Sequence, residues 1–147
     1  MRIKIKNLEP EAYKTMLGFE HYMQSSTLDK KLLELVKIRA SQINGCGYCL
    51  DIHTKDSLSL GEDPRRVFTL SAWRETELFT DAEQAALALV EEVTLIANGG
   101  VSDEVFNKAA IHFEEHQLAQ LIMAIIAINS WNRFAITSKT IALKQPK

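Results

Sequence analysis

The chain has 147 residues, 46% hydrophobic and 24% charged, with a formal net charge of −2. That length suits one domain spanning residues 1–147 with a core of its own, and the balanced charge carries no nucleic-acid footprint. Two cysteines are too few for a secreted disulfide framework, no signal-peptide core follows Met1, and the longest apolar run, Leu121 to Ile128, falls short of the roughly 20 residues that span a bilayer.

The expectation is therefore a cytoplasmic protein with neither membrane nor nucleic-acid partner. Residues 2–6 alternate charged and apolar side chains, as a short strand or an extended arm would, and residues 1–9 are read as an arm. Pro10 suits the first turn of a helix, with Ala12, Met16, Phe19 and Met23 as its apolar stripe, ending near Ser25-Ser26. Ser26 or Thr27 is the expected cap of a second helix, which Asn44-Gly45 closes because both residues accept left-handed backbone. A third helix runs from about Cys46 to Leu60 and stops at Gly61. Asp63-Pro64 opens a short helix through Val67, Phe68 and Leu70 to about Trp73. Thr80 and Glu83 form a capping box before a helix carrying Ala86, Leu89, Val90, Val93 and Ile96, which ends at Asn98-Gly99-Gly100. Ser102 caps the next helix, with Val105, Ala109 and Phe113. The last helix runs from about Glu115 to Thr137, and residues 138–147 read as a flexible tail. The fold class is all-α, with six to seven helices and no strand pair.

Both cysteines lie in one C-x-x-C, Cys46 and Cys49, with His53 four residues further on and Glu34 twelve residues before Cys46. On a helix starting near Gly45, Cys46, Cys49 and His53 share a face. The helix N-terminus favours a thiolate at Cys46, whereas the nearness of His53 as a base favours Cys49. Two close thiols, a base and an acid make a small redox site.

The spacing Glu34-x11-Cys46-x-x-Cys49-x3-His53 resembles the peroxidase side of the AhpD and carboxymuconolactone decarboxylase family. Ser71-Ala-Trp-Arg74, Phe79-Thr-Asp81 and Ile128-Asn-Ser-Trp-Asn-Arg-Phe134 also look like blocks of its single-core members, so the resemblance covers about residues 10 to 140. It implies an AhpD-like bundle that reduces organic hydroperoxides. In that pattern Cys49 attacks the peroxide, Cys46 closes the disulfide, His53 relays protons and Glu34 supports the network. It also implies an external dithiol donor protein such as one bearing a lipoyl group, no bound cofactor or metal, and a homo-oligomer, trimer or hexamer. Tyr48 stands where some members carry a relay histidine and is the candidate relay here.

Each residue also has a plainer reading. The two thiols with His53 and Glu34 can be counted as four zinc ligands, but no second C-x-x-C or histidine pair accompanies them. Glu34 can be a surface carboxylate paired with Lys30 or Lys37, and His53 a core histidine. His112-Phe-Glu-Glu115-His116 spells a metalloprotease pattern, but no carboxylate follows Glu115 and the segment crosses a helix junction. Trp131 and Arg133 read as structural or interface anchors, and Trp73 as core. Leu118 to Ile128 is apolar almost all round, which independently points to burial between subunits. The alternatives to a peroxidase are a lactone decarboxylase, for which an intact C-x-x-C has no use, and a non-enzymatic thiol redox sensor or interaction module.

Overall fold

Local hydrogen bonding closes nearly every stretch of this chain into helix, and the computed structural model describes residues 1–144. Among the described residues there is no strand. The α-helices are α1 (Ile5–Leu8), α2 (Pro10–Gln24), α3 (Lys30–Asn44), α4 (Gly47–Ser59), α5 (Pro64–Thr69), α6 (Asp81–Thr94), α7 (Asp103–His112) and α8 (Glu115–Ser138). Two 3-10 segments, Leu70–Glu75 and Ile96–Asn98, follow α5 and α6.

The helix absent from the sequence expectation is α1. An alternating segment needs a partner strand, and none is present among the described residues. Residues 4–9 satisfy their own backbone instead, with the Asn7 and Leu8 N–H groups donating to the Lys4 carbonyl and Glu9 N–H to Ile5. The Arg2 N–H then donates to the Ser138 carbonyl at 2.8 Å, tying the start of the chain to the end of α8.

Four start signals act as the sequence indicates. Pro10 opens α2, Asp63 accepts from Arg65 N–H ahead of Pro64, Thr80 and Glu83 exchange both capping-box bonds, and Ser102 accepts from Val105 N–H. The cap of α3 differs. Asp29, not Ser26 or Thr27, accepts from Leu32 N–H. Ser26 and Thr27 are spent on tertiary structure, both donating to Oε1 of the buried Gln120 in α8.

Three predicted apolar positions, Ala12, Phe68 and Ile96, face outward. Phe68 is 79% exposed, and Ile96 is exposed because the α-helix ends at Thr94 and the following 3-10 turn rotates it out of the stripe. The expected tail begins too early. Ser138 is buried and helical, and Lys139, with φ 58°, places the Thr140 N–H on the Ala135 carbonyl to cap α8. Residues 145–147 of that tail lie outside the described residues.

Helix α3 runs through the middle of the fold and is buried on two faces. Val36 and Ala40 join the larger core cluster with Leu89, Leu121, Ile125 and Ile128. Leu35 and Ile38 join a second cluster with Leu70, Trp73 and Leu87. Each such side chain contributes about 1.5–3 kcal/mol by leaving water, so α3 is held from both sides. That fixes Glu34, the residue immediately before Leu35 in the same helix.

At 24 residues, α8 is long and apolar enough to cross a membrane by length and composition, and half of its most apolar stretch is buried within the fold. It is a core helix on one side. The expectation of burial all round fails within one chain, because Met123, Ile126 and Ile136 stay 36–42% exposed.

Candidate active site

The site is built at the turn between α3 and α4. Gly45 takes a left-handed conformation (φ 70°), so its N–H reaches the Gln42 carbonyl and the Cys46 N–H reaches the Ser41 carbonyl. This is the Schellman pattern, and its αL position strongly favours glycine. Cys46 is therefore the last residue of one motif and the N-cap of the next helix, not the first helical residue that the sequence suggested. Its Sγ accepts the Cys49 backbone N–H at 3.3 Å, as a capping oxygen would.

Asparagines pin this turn to α8. Asn44 Nδ2 donates to both Asn129 Oδ1 and Asn132 Oδ1 at 2.9 Å. Asn132, fully buried, donates to Ser41 Oγ, and Asn129 donates to Thr94 Oγ1 in α6. A buried network with its partners in place holds one geometry, so the thiol-bearing turn is fixed against the core.

Cys46 and Cys49 are joined as a disulfide with Cα atoms 5.4 Å apart, a separation natural to such a bond. Both residues are buried. One turn on, His53 Nδ1 lies 2.9 Å from Glu34 Oε2, while Glu34 Oε1 accepts from Lys37 Nζ at 3.0 Å. Burial alone raises the Glu34 carboxyl. The His53 hydrogen bond and the nearby charges of Lys37 and His53 outweigh it, so the group sits below its ordinary value of 4.5. An ionised carboxylate only accepts, so Nδ1 of His53 carries the hydrogen and Nε2 is left to exchange a proton.

Cys49, His53, Ile52 and Tyr48 line a cavity of about 560 Å³. Its other walls come from Tyr13 of α2, Trp131 and Phe134 of α8, and the N-terminal segment. The three aromatic rings pack edge-on or tilted, with centroids 5.6–5.9 Å apart. Neither Cys46 nor Glu34 is among the lining residues. The disulfide thus has one sulfur-bearing residue at the cavity wall and one behind it.

Glu34 reaches His53 directly from α3, and His53 and Cys49 lie one turn apart on α4 behind the N-cap Cys46. Glu34 pairs with Lys37 through Oε1 and with His53 through Oε2, and it is buried, not a surface carboxylate. Tyr48 is exposed on the cavity. Trp131 is a cavity wall, and Arg133 Nη1 donates to the Asn129 carbonyl and Oδ1. Trp73 is core, as expected, with Nε1 donating to Glu91. His112 ends α7 and Glu115 starts α8, so the metalloprotease pattern is split across the junction. Among the described residues, the possible metal ligands that gather are Glu34, His53 and exposed Asp56, within 4.8 Å of one another. The four-ligand set counted from the sequence does not form, since the two sulfurs bond each other. Sequence reasoning missed Tyr13, Phe134 and residues 1–7, because nothing local marks side chains that meet only across the fold.

Comparison with known proteins agrees with this architecture. The Bacillus subtilis protein YdfG, itself uncharacterised, is 40% identical over 135 residues, 92% of each chain. A crystal structure of an Agrobacterium tumefaciens protein of unknown function, described as a candidate antioxidant defence protein AhpD, superposes with a TM-score of 0.94 at 38% identity, covering 98% of this chain and 99% of that one. A peroxidase-related protein from Silicibacter shares the fold at 19% identity and TM-score 0.78, covering 89% and 70%. Residues 10–92 match the carboxymuconolactone decarboxylase family. Sequence and fold agree, and this chain belongs to the carboxymuconolactone decarboxylase family, with an AhpD-like all-α fold.

Proposed function

We propose that the protein is a cytoplasmic thiol peroxidase that reduces organic hydroperoxides through a Cys46–Cys49 dithiol/disulfide cycle. The observation that carries this reading is the asymmetry of the pair: Cys49 and His53 open on one cavity, while Cys46 lies behind, capped by the Cys49 N–H. The Agrobacterium neighbour's description as a candidate antioxidant defence protein supports it.

In the reduced enzyme the Cys49 thiol gives its proton to Nε2 of His53, whose charge Glu34 balances. The Cys49 thiolate attacks the outer oxygen of the hydroperoxide. The O–O bond breaks, Cys49 becomes a sulfenic acid, and the leaving alkoxide takes the proton from His53 and departs as the alcohol. The Cys46 thiol then attacks the Cys49 sulfur, forming the disulfide and releasing the hydroxyl as water. Two electrons have passed from the thiols to the peroxide.

Return to the dithiol requires an external dithiol donor protein, and a lipoyl group has the right chemistry. Its thiolate attacks the Cys49 sulfur, which faces the cavity. The Cys46 thiolate leaves, stabilised by the Cys49 N–H and the α4 N-terminus, and takes up a proton. The donor's second thiol then attacks the donor's own sulfur in the mixed disulfide, releasing Cys49 as a thiol and closing the donor's disulfide. Tyr48, exposed at the same wall, is suited to pass protons to solvent. No bound cofactor or metal takes part.

Lactone decarboxylation would leave the dithiol without a role. A thiol redox sensor would form the same disulfide but not turn over. The test is substitution of each cysteine. Cys49→Ser abolishes peroxide turnover, and Cys46→Ser leaves a sulfenic acid on Cys49 that a dimedone-type probe labels. Retained turnover in Cys49→Ser would overturn the assignment.

A further inference from the structure

The N-terminal segment is the least core-like part of the fold, yet it supplies more of the cavity wall than any other element. Met1, Ile3, Lys4, Ile5, Lys6 and Asn7 all line the space on which Cys49 and His53 open. None of residues 1–8 is buried. The segment packs α1 against α2, and its contacts include the Arg2 N–H on the Ser138 carbonyl and the Lys6 ammonium 5.4 Å from the Tyr13 ring centroid. The fold does not need Ile3 and Ile5 for its core, and their apolar side chains face the same cavity as Tyr13, Trp131 and Phe134.

The size of that space bears on what enters it. A water molecule's share of the liquid is about 30 Å³, and hydrogen peroxide needs little more. A cavity of about 560 Å³, whose wall carries four aromatic residues and three isoleucines (Ile3, Ile5 and Ile52) beside the charged Lys4, Lys6 and Glu20, is far larger than that substrate requires and offers it apolar surface it cannot use. Such a wall rewards a substrate that displaces its water with apolar surface.

We propose that Ile3 and Ile5 of the N-terminal segment, facing Tyr13, Trp131 and Phe134, are specificity-determining residues that select hydroperoxides bearing an aryl or branched alkyl group over hydrogen peroxide. This rests on the peroxidase reading of Cys49. The segment acts by contact with the body of the substrate, while the O–O bond lies at Cys49 and His53. Selectivity then resides in residues outside the core, where the wall can be changed without cost to the fold.

The experiment compares kcat/KM for cumene hydroperoxide and for hydrogen peroxide in the full chain and in Ile3→Asp/Ile5→Asp. The wild type favours cumene hydroperoxide, and the double variant lowers the ratio of the two values by roughly tenfold or more, mainly through KM for the bulky substrate. Ile3→Ser/Ile5→Ser lowers the ratio in the same direction without introducing charge, and serves if the aspartates disturb the fold. If the wild type turns over both peroxides but the ratio does not move in either variant, the specificity proposal is wrong and the peroxidase reading stands. If the wild type reduces neither peroxide, the peroxidase reading itself falls.

Discussion

Replacing Glu34 with glutamine tests whether the buried carboxylate works through His53 or only holds Lys37. The side chain is nearly isosteric, so packing against the core is retained. What disappears is the negative charge that accepts the His53 Nδ1 hydrogen at 2.9 Å and offsets Lys37 at 3.0 Å. A hydrogen bond to a charged group contributes about 1.5–3 kcal/mol. If that term is realised as the thiol proton passes to His53, kcat/KM falls about 10- to 150-fold.

The pH dependence gives a second readout. The Glu34 carboxyl is held below its ordinary value of 4.5 by the His53 hydrogen bond and the charges of Lys37 and His53, which together overcome the effect of burial. A depressed folded-state value means that its stabilisation is fully present above about 4.5 and is lost as pH falls through the folded value. Wild type is therefore more stable than Glu34→Gln at neutral pH, and the difference narrows on acidification below 4.5. The assay is dithiol-coupled consumption of cumene hydroperoxide from pH 5 to 9, with urea unfolding at pH 3.5, 5 and 7. Unchanged kcat/KM with an unchanged pH profile would show that Glu34 is only the partner of Lys37.

Two further outcomes follow from the packing. Asn132→Ala leaves Ser41 Oγ without its donor in a fully buried site and opens a small cavity, so stability falls by about 2–4 kcal/mol in urea denaturation. A loss below about 0.5 kcal/mol would mean the asparagine network does not hold the α3–α4 turn. The exposed α8 residues Met123, Ile126 and Ile136 are proposed to pack between subunits, so light scattering gives a trimer or hexamer of the 16.6 kDa chain. Ile126→Asp lowers that mass, and a wild-type monomer at working concentration would contradict the assignment.

Much of the helical order was legible because its punctuation is local. Gly45, Asp63-Pro64, the Thr80–Glu83 box and Ser102 act through residues within a turn or so of one another. The α3 cap was misread for a physical reason: Ser26, Thr27 and Asp29 are all competent caps, and only the distant Gln120 decides which remain free. Residues 2–6 alternate like a strand but have no strand to pair with among the described residues, so a short helical turn, α1, forms over Ile5–Leu8. Cys46, Cys49 and His53 were legible from helical spacing, whereas Glu34, on the preceding helix with Lys30 and Lys37 in reach, owes its place to the family resemblance. The cavity was not, because Ile5, Tyr13, Tyr48 and Trp131 are brought together only by the docking of α2, α4 and α8. Trp131 in particular reads as an anchor from sequence, since an aromatic residue at the end of an apolar helix gives no sign of what it faces.

The central claim is that Cys49 and Cys46 together consume one peroxide. Reduced protein is mixed with one equivalent of cumene hydroperoxide, and free thiols and remaining peroxide are titrated from seconds to minutes. The account predicts rapid loss of both thiols for each peroxide consumed, with one alcohol formed and both thiols regained on adding a dithiol. Persistence of both thiols while the peroxide remains intact would contradict it.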